Sequence, residues 1–195
     1  CLDWICSITN TSISDTLKNV ESYFNDPSLV SNSSFFLPYL SGERTPHNDP
    51  HIRGSFHAMK TTTDATNLQY AVIEGVSFGI LDGVNSILKV NDNFDKVLMV
   101  GGGSRSSFWI ELLASLLNRN LSVCDQSEYG AALGVARLTM HVDKNIQDQN
   151  NIIKEIKISK EYKPQSGSID LLKKRYIIWK DLYSSNKKIA SNLIS

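Results

Sequence analysis

The sequence predicts an α/β fold in which short strands lie parallel and helices join them. Three observations carry this. Residues 96–100, Lys96-Val97-Leu98-Met99-Val100, are an apolar run that ends in Gly101-Gly102-Gly103-Ser104-Arg105-Ser106-Ser107 and gives way to a helical pattern over 108–117. A second strand over 121–124 leads into a second helical stretch over 128–140, rich in small residues at Gly130, Ala131, Ala132, Gly134 and Ala136. Strands spaced by helices of this length pair in parallel through right-handed crossovers, because a hairpin has no room for them. The third observation is a long helical period over 64–89, whose apolar stripe runs through Leu68, Ala71, Val72, Val76, Ile80, Val84, Ile87 and Leu88.

The remaining elements follow in order. Leu2, Ile5, Cys6 and Ile8 mark a short helix. Ser14 is a candidate cap for a helix carrying Leu17, Val20 and Phe24, which stops before Pro27. Serines and asparagines over 28–34 read as a loop. Residues 35–40 read as a strand with an edge or bulge at Pro38, 41–53 as a long polar loop and 54–59 as another short strand. Asp64 is a natural cap for the long helix. Gly75, Gly79 and Gly83 share one helical face, where each costs about 1 kcal/mol relative to alanine, so another backbone is expected to pack close. Residues 143–151 are polar, 152–162 alternate, and 168–183 form a final helix followed by a polar tail. No internal repeat or low-complexity linker divides the chain, and one domain over 1–195 is expected.

Composition narrows the function. Apolar residues are 41% and charged residues 21% of the 195, and 20 basic residues balance 20 acidic ones. That balance offers nothing to draw in nucleic acid or an anionic membrane, so neither is an expected partner. No apolar run is read as long enough to span a bilayer, and the start does not read as a signal peptide. Cys1, Cys6 and Cys124 are odd in number and fit no zinc spacing, which points to a reducing, cytoplasmic compartment. His47 and His51 share a loop without a third ligand beside them, so no metal site is expected. Cys1-Leu2-Asp3-Trp4-Ile5-Cys6 reads as the interior of an apolar helix, so the chain is expected to be a fragment of a longer protein.

The three glycines between strand and helix are the sharpest chemical signal. Lacking Cβ atoms, they let the chain turn tightly and let a ligand touch the main chain, beside the unpaired N–H groups of the next helix. Ser106 or Ser107 would cap that helix, and Gly102 is expected at a positive φ. A tight turn without ligand is the plainer reading. The Walker spacing is not met. A dinucleotide fingerprint is imitated by Gly101, Gly103 and Ser106, with Asp125 at the end of the next strand as the ribose ligand, and spacing alone leaves the two ligands undecided.

The polar loop decides between them. Phe36-Leu37-Pro38-Tyr39-Leu40-Ser41-Gly42-Glu43-Arg44-Thr45-Pro46-His47-Asn48-Asp49-Pro50 resembles the loop of bacterial xylulose kinases almost residue for residue. Asn67-Leu68, Ala71 and Glu74 resemble the second signature of the FGGY sugar kinases. Gly101 to Ser106 resembles their adenosine turn, Ala132 to Arg137 the helix after it, and Arg175-Tyr176 with Tyr183 the closing helix. Two positions depart: Ala58 stands where the family usually has glycine, and Ser106 where glycerol kinases carry a nucleotide-contacting asparagine.

The resemblance implies a partial actin-like ATPase domain of ribonuclease H type, lacking its first strands. It also implies ATP as nucleotide, with Mg2+ held mainly by a preceding part. Gly101, Gly102, Gly103, Ser106 and Asp3 become the nucleotide-binding candidates. The catalytic aspartate and most of the sugar site would precede this chain, so no catalytic residue is expected here. Partners are ATP, a sugar and an N-terminal kinase domain, with a homodimer as a candidate assembly. Glu43 and Asp49, beside Arg44 and Arg53, are expected in salt bridges or interdomain contacts. The competing readings are an NAD-type oxidoreductase domain and a non-catalytic actin-like interaction domain.

Overall fold

The computed structural model describes residues 1–90, 96–125, 130–142 and 157–193. Backbone contacts gather into two compact units, Cys1–Asn93 with Gln165–Ser195, and Phe94–Pro164.

In the first unit, α1 (Leu2–Thr9) buries Ile5 and Cys6 and ends at Asn10, which takes the left-handed conformation that asparagine tolerates. Helix α2 (Ile13–Phe24) starts two residues earlier than expected: Ser12, not Ser14, is the cap, its extended backbone aiming the hydroxyl at the N–H of Asp15 at 3.1 Å. The stretch read as a loop contains α3 (Pro27–Asn32). Pro27 stops α2 but suits the first turn of a helix, and the Asp26 carboxylate accepts from the N–H groups of Ser28 and Leu29.

Strand β1 (Phe35–Leu37) is fully buried, ends before Pro38, and pairs antiparallel with β2 (Ser55–His57). Helix α4 (Ala65–Leu88) opens on the Asp64 cap and buries residues along its first half, including Tyr70, Val72, Ile73 and Phe78. The glycine ridge divides in meaning along its length. A Cβ on Gly75 would lie 2.2 Å from the carbonyl oxygen of Phe36, one on Gly79 would touch Pro38 at 3.6 Å, and one on Gly83 would meet nothing within 4 Å. Close backbone packing therefore accounts for Gly75 alone. The expectation that no run reaches membrane-spanning length is corrected by the same helix: α4 is long and apolar enough by length and composition. Its apolar character is that of a core helix, since Phe36, Ala71 and Val72 pack with Ile5, flanked by Trp4, Phe56 and Leu68.

In the second unit, β3 (Val97–Met99) pairs in parallel with β4 (Leu121–Cys124), and α5 (Ser107–Leu117) connects them, as the pattern predicts. Helix α6 (Gly130–Val142) follows; the first residues of the helix expected over 128–140 lie outside the described residues. Strand β5 (Ile158–Tyr162) then joins antiparallel to β4, with a register shift between Val123 and Cys124. The polar stretch 143–151 and the first residues of the alternating one also lie outside the described residues. Ile110, Leu113, Ala114, Leu121 and Tyr162 form the core of this unit, and each fully buried aliphatic side chain contributes about 1.5–3 kcal/mol.

The last helix, α7 (Ser166–Leu193), returns to the first unit and runs well past the expected end at 183. Its final turns are polar in sequence, but Asn186 and Ala190 are buried.

Candidate functional site

After β3 the chain turns at Gly101, whose φ of +86° only glycine adopts comfortably. A short 3-10 turn, Gly102–Arg105, follows. It is closed by the N–H of Ser104 donating to the Gly101 carbonyl at 3.1 Å, with the Ser104 hydroxyl on the same oxygen at 2.7 Å. Ser106 is extended and caps α5, its hydroxyl accepting from the N–H of Trp109 at 3.2 Å. The neighbouring Ser107 hydroxyl bonds instead to the Tyr162 hydroxyl at 2.9 Å.

The three glycines thus have different reasons. The backbone demands glycine at Gly101. At Gly102 it does not: φ is not positive there, contrary to the sequence expectation, because the left-handed residue of the turn is the one before it. A Cβ at Gly102 would meet nothing within 4 Å, and one at Gly103 would make only ordinary contact with the Trp109 ring at 3.8 Å. The turn therefore leaves the main chain at Gly102 exposed, with no atom within 4 Å of the place a Cβ would take. Gly130, at the start of α6, allows that helix to approach Val100; a Cβ there would lie 3.2 Å from the valine Cβ.

Gly101, Gly102, Gly103 and Ser106 are brought together in this one turn. Asp3, the fifth nucleotide candidate, lies in the other unit, exposed on the first turn of α1. Among the described residues no group of three His, Cys, Asp or Glu side chains is gathered to hold a metal ion. Asp125 follows β4 as the dinucleotide alternative requires, but the strand on the far side of β4 is the antiparallel β5, where a dinucleotide sheet continues in parallel.

Two further arrangements were not legible as such. The first is a buried ion pair. Arg175 of α7 donates from Nε and Nη2 to the two carboxylate oxygens of Glu74 at 2.6 and 2.7 Å, and from its Nη atoms to the carbonyls of Ser33 and Ser34. Its guanidinium lies 4.2 Å over the Phe35 ring, and the Tyr70 hydroxyl donates to Glu74 at 3.0 Å. Burial pushes the Glu74 carboxyl up, against the pull of Arg175 and the hydrogen bond from Tyr70. Both residues are visible in the family pattern, but their pairing across 101 positions is not.

The second is the 41–53 loop, which is built rather than loose. Glu43 and Asp49 exchange backbone hydrogen bonds at 2.8 and 2.7 Å, and the Glu43 carboxylate accepts from the N–H of His47. The Asp49 carboxylate accepts from the N–H groups of His51 and Ile52 and from the Tyr183 hydroxyl, and pairs with Lys187 at 3.6 Å. The salt bridge expected of Asp49 is made with Lys187 of α7, while Glu43 binds the loop's own backbone. The His47 ring stacks on Tyr183 at 3.6 Å, and its Nε2 lies 3.7 Å from Asp82, which also accepts from the Tyr176 hydroxyl.

The architecture is α/β, of the actin-like ATPase type, and comparison with known proteins gives the family. Residues 1–142 match the model of the C-terminal domain of the FGGY family of carbohydrate kinases, and the chain belongs to that family. It is similar to the xylulose kinase of Escherichia coli (strain K12), with 36% identity over 141 residues that cover 71% of this chain and 28% of that protein. Among solved structures it resembles a xyloylose kinase from Brucella ovis at 29% identity and a TM-score of 0.78, covering 96% of this chain and 38% of that one. It shares its fold with the ligand-bound xylulose kinase from Lactobacillus acidophilus, at 23% identity and a TM-score of 0.74, covering 94% and 37%. The chain thus spans about a third of the length of these relatives.

Proposed function

We propose that this chain is the nucleotide-binding part of a cytoplasmic kinase that transfers the γ-phosphoryl group of ATP to a hydroxyl of a ketose, with D-xylulose as substrate and xylulose 5-phosphate as product. The observation that carries this reading is the open main chain at Gly102 in a chain of the FGGY family. The substrate rests on the similarity to xylulose kinases.

In this reading the 195 residues act together as a C-terminal nucleotide-binding domain, and adenosine lies against Gly101, Gly102 and Gly103. Ser106 caps α5 with one lone pair of its hydroxyl, which fixes the turn and leaves the O–H as the group that would reach the nucleotide. Asp3 is the candidate contact from α1. Phosphoryl transfer depends on positioning and on neutralising charge as the bond from the γ-phosphorus to its bridging oxygen breaks and the bond to the sugar oxygen forms. The hydroxyl proton passes to a carboxylate outside these residues. Mg2+ bound with ATP would supply neutralisation of the phosphate charge, and its ligands are assigned mainly outside these residues.

The test is activity of the longer protein and of this chain. The longer protein is expected to phosphorylate D-xylulose with ATP, and these 195 residues alone to show no turnover. Turnover by the 195 residues near ordinary kinase rates, roughly 1–100 per second, contradicts the division of labour. A longer protein that binds ADP but phosphorylates no ketose contradicts the substrate.

A further inference from the structure

The 41–53 loop is the part of the sequence pattern that nucleotide binding leaves without a role, and a cavity of about 410 Å³ lies between its 47–52 turn and the last turns of α7. We propose that this cavity is a second small-molecule site, selective for a small organic anion: a carboxylate or phosphate monoester on a compact apolar body.

Size is the first argument, since small-molecule pockets run from about 300 to 1,000 Å³. The second is the floor. Pro50, Ile52 and Ala190 line it, Pro50 exposed and Ile52 and Ala190 packed behind, so the inner wall is apolar and carries no charge. The third is the balance of charge at the rim. Among the described residues Asp49 is the only acid lining the cavity, and both of its oxygens are engaged. One oxygen takes the N–H groups of His51 and Ile52, and the other takes the Tyr183 hydroxyl and Lys187. Three hydrogen bonds and one ion pair engage both oxygens, so Asp49 is already committed within the loop and to α7. Lys187 is in the opposite position. Its ammonium has three N–H donors, of which one goes to the Tyr183 hydroxyl at 3.3 Å, with Asp49 alongside as an ion pair at 3.6 Å. With its side chain 59% exposed at the mouth, Lys187 can turn a remaining donor to an incoming anion.

The site is also preformed. The loop is held on itself by Glu43 and Asp49, and Asn186 of α7 donates to the Arg53 carbonyl at 2.6 Å. Little ordering is left to oppose binding.

The experiment is a backbone amide NMR titration of the 195-residue chain with benzoate, phenyl phosphate, inorganic phosphate and benzylamine. Saturable shifts are expected at 47–52 and 187–191 with benzoate or phenyl phosphate, and the comparison of these two identifies the preferred head group. Inorganic phosphate, without an apolar body, is expected to bind at least about tenfold more weakly, and benzylamine not at all. Lys187→Met, at an exposed position that keeps the aliphatic stem, is expected to weaken the anion at least about tenfold with the melting temperature unchanged. Ala190→Leu, which fills the floor, should abolish binding with Lys187 intact; should it not fold, Lys187→Met decides. No saturable shift with either organic anion, equal binding of benzylamine, or binding unchanged in Lys187→Met overturns the proposal. Gly102→Val must leave benzoate binding intact, so failure here and failure of the nucleotide reading are separable.

Discussion

Replacing Glu74 by glutamine tests whether the buried pair fastens α7 to α4 and β1. Glu74 is 1% exposed and Arg175 4% exposed. The substitution keeps the shape but removes the charge, and it turns one of two acceptors into an N–H₂ group facing an Arg175 N–H. Arg175 then keeps one side-chain acceptor and the longer contacts to Ser33 and Ser34, at 3.4 and 3.2 Å, inside a site from which water is excluded. Removing one partner of such a pair costs about 3–5 kcal/mol, because the other is left buried and uncompensated. At roughly 2–4 °C per kcal/mol for a chain of this size, the melting temperature should fall by roughly 6–20 °C. The assay is urea unfolding followed by tryptophan fluorescence, since Trp179 donates to the Phe36 carbonyl one helical turn beyond Arg175. A double-mutant cycle with Arg175→Met supplies the control: Glu74→Gln with Arg175→Met should recover at least about 2 kcal/mol relative to the sum of the single losses. A Glu74→Gln cost below about 1 kcal/mol, or a cycle with no coupling, would refute the assignment of this pair as a fastener.

Three other outcomes follow from the geometry. Gly75→Ala should destabilise by at least about 2 kcal/mol, since its Cβ would collide with the Phe36 carbonyl, while Gly83→Ala should stabilise by up to about 1 kcal/mol; urea midpoints of the two variants check the contrast. Ala58 holds a φ of +59°, so Ala58→Gly should relieve about 1–2 kcal/mol of left-handed strain, less the entropy that glycine adds to the unfolded chain. The net gain is about 0.5–1 kcal/mol, a rise of roughly 1–4 °C by calorimetry. Desolvation raises the Asp49 carboxyl, but hydrogen bonds from Tyr183, His51 and Ile52 and the attraction of Lys187 outweigh it and hold it below the ordinary carboxylate value. Its contribution is therefore present above its unfolded value near 3.8 and lost as pH falls through the lower folded one. Amide exchange over 47–52 should quicken in that acid window in the wild type, and Asp49→Asn should already exchange fast at neutral pH.

What was legible in the sequence was what local pattern determines. The β3 to α5 turn, the parallel strand after it, the Asp64 cap and the length of α4 all depend on residues close together in the chain. The misreadings are also local, and each involves a residue with two meanings. Pro27 ends α2 and begins α3; Ser12 and Ser14 can each cap, and backbone conformation decides. The end of α7 was read as a tail because Ser184, Ser185, Lys187 and Lys188 outnumber the positions that are buried, Asn186 and Ala190. In the candidate site, glycines at three consecutive positions look alike in sequence, and only φ separates Gly101 from Gly102. The contacts of Glu74 with Arg175 and of Asp49 with Tyr183 span more than 100 residues, beyond the reach of any local period.

The nucleotide-binding role of the glycine turn is tested most directly by Gly102→Val in the full-length protein, with ATP and sugar varied in turn. A Cβ there meets nothing in the chain and carries no positive-φ strain, so the variant should melt within about 2 °C of wild type. If adenosine lies against this residue, the valine side chain enters its space. The Michaelis constant for ATP should then rise at least about tenfold, roughly 1.4 kcal/mol of lost binding, while that for the sugar stays unchanged. A folded Gly102→Val protein with a normal ATP constant would contradict the assignment and leave the three glycines as a purely structural turn.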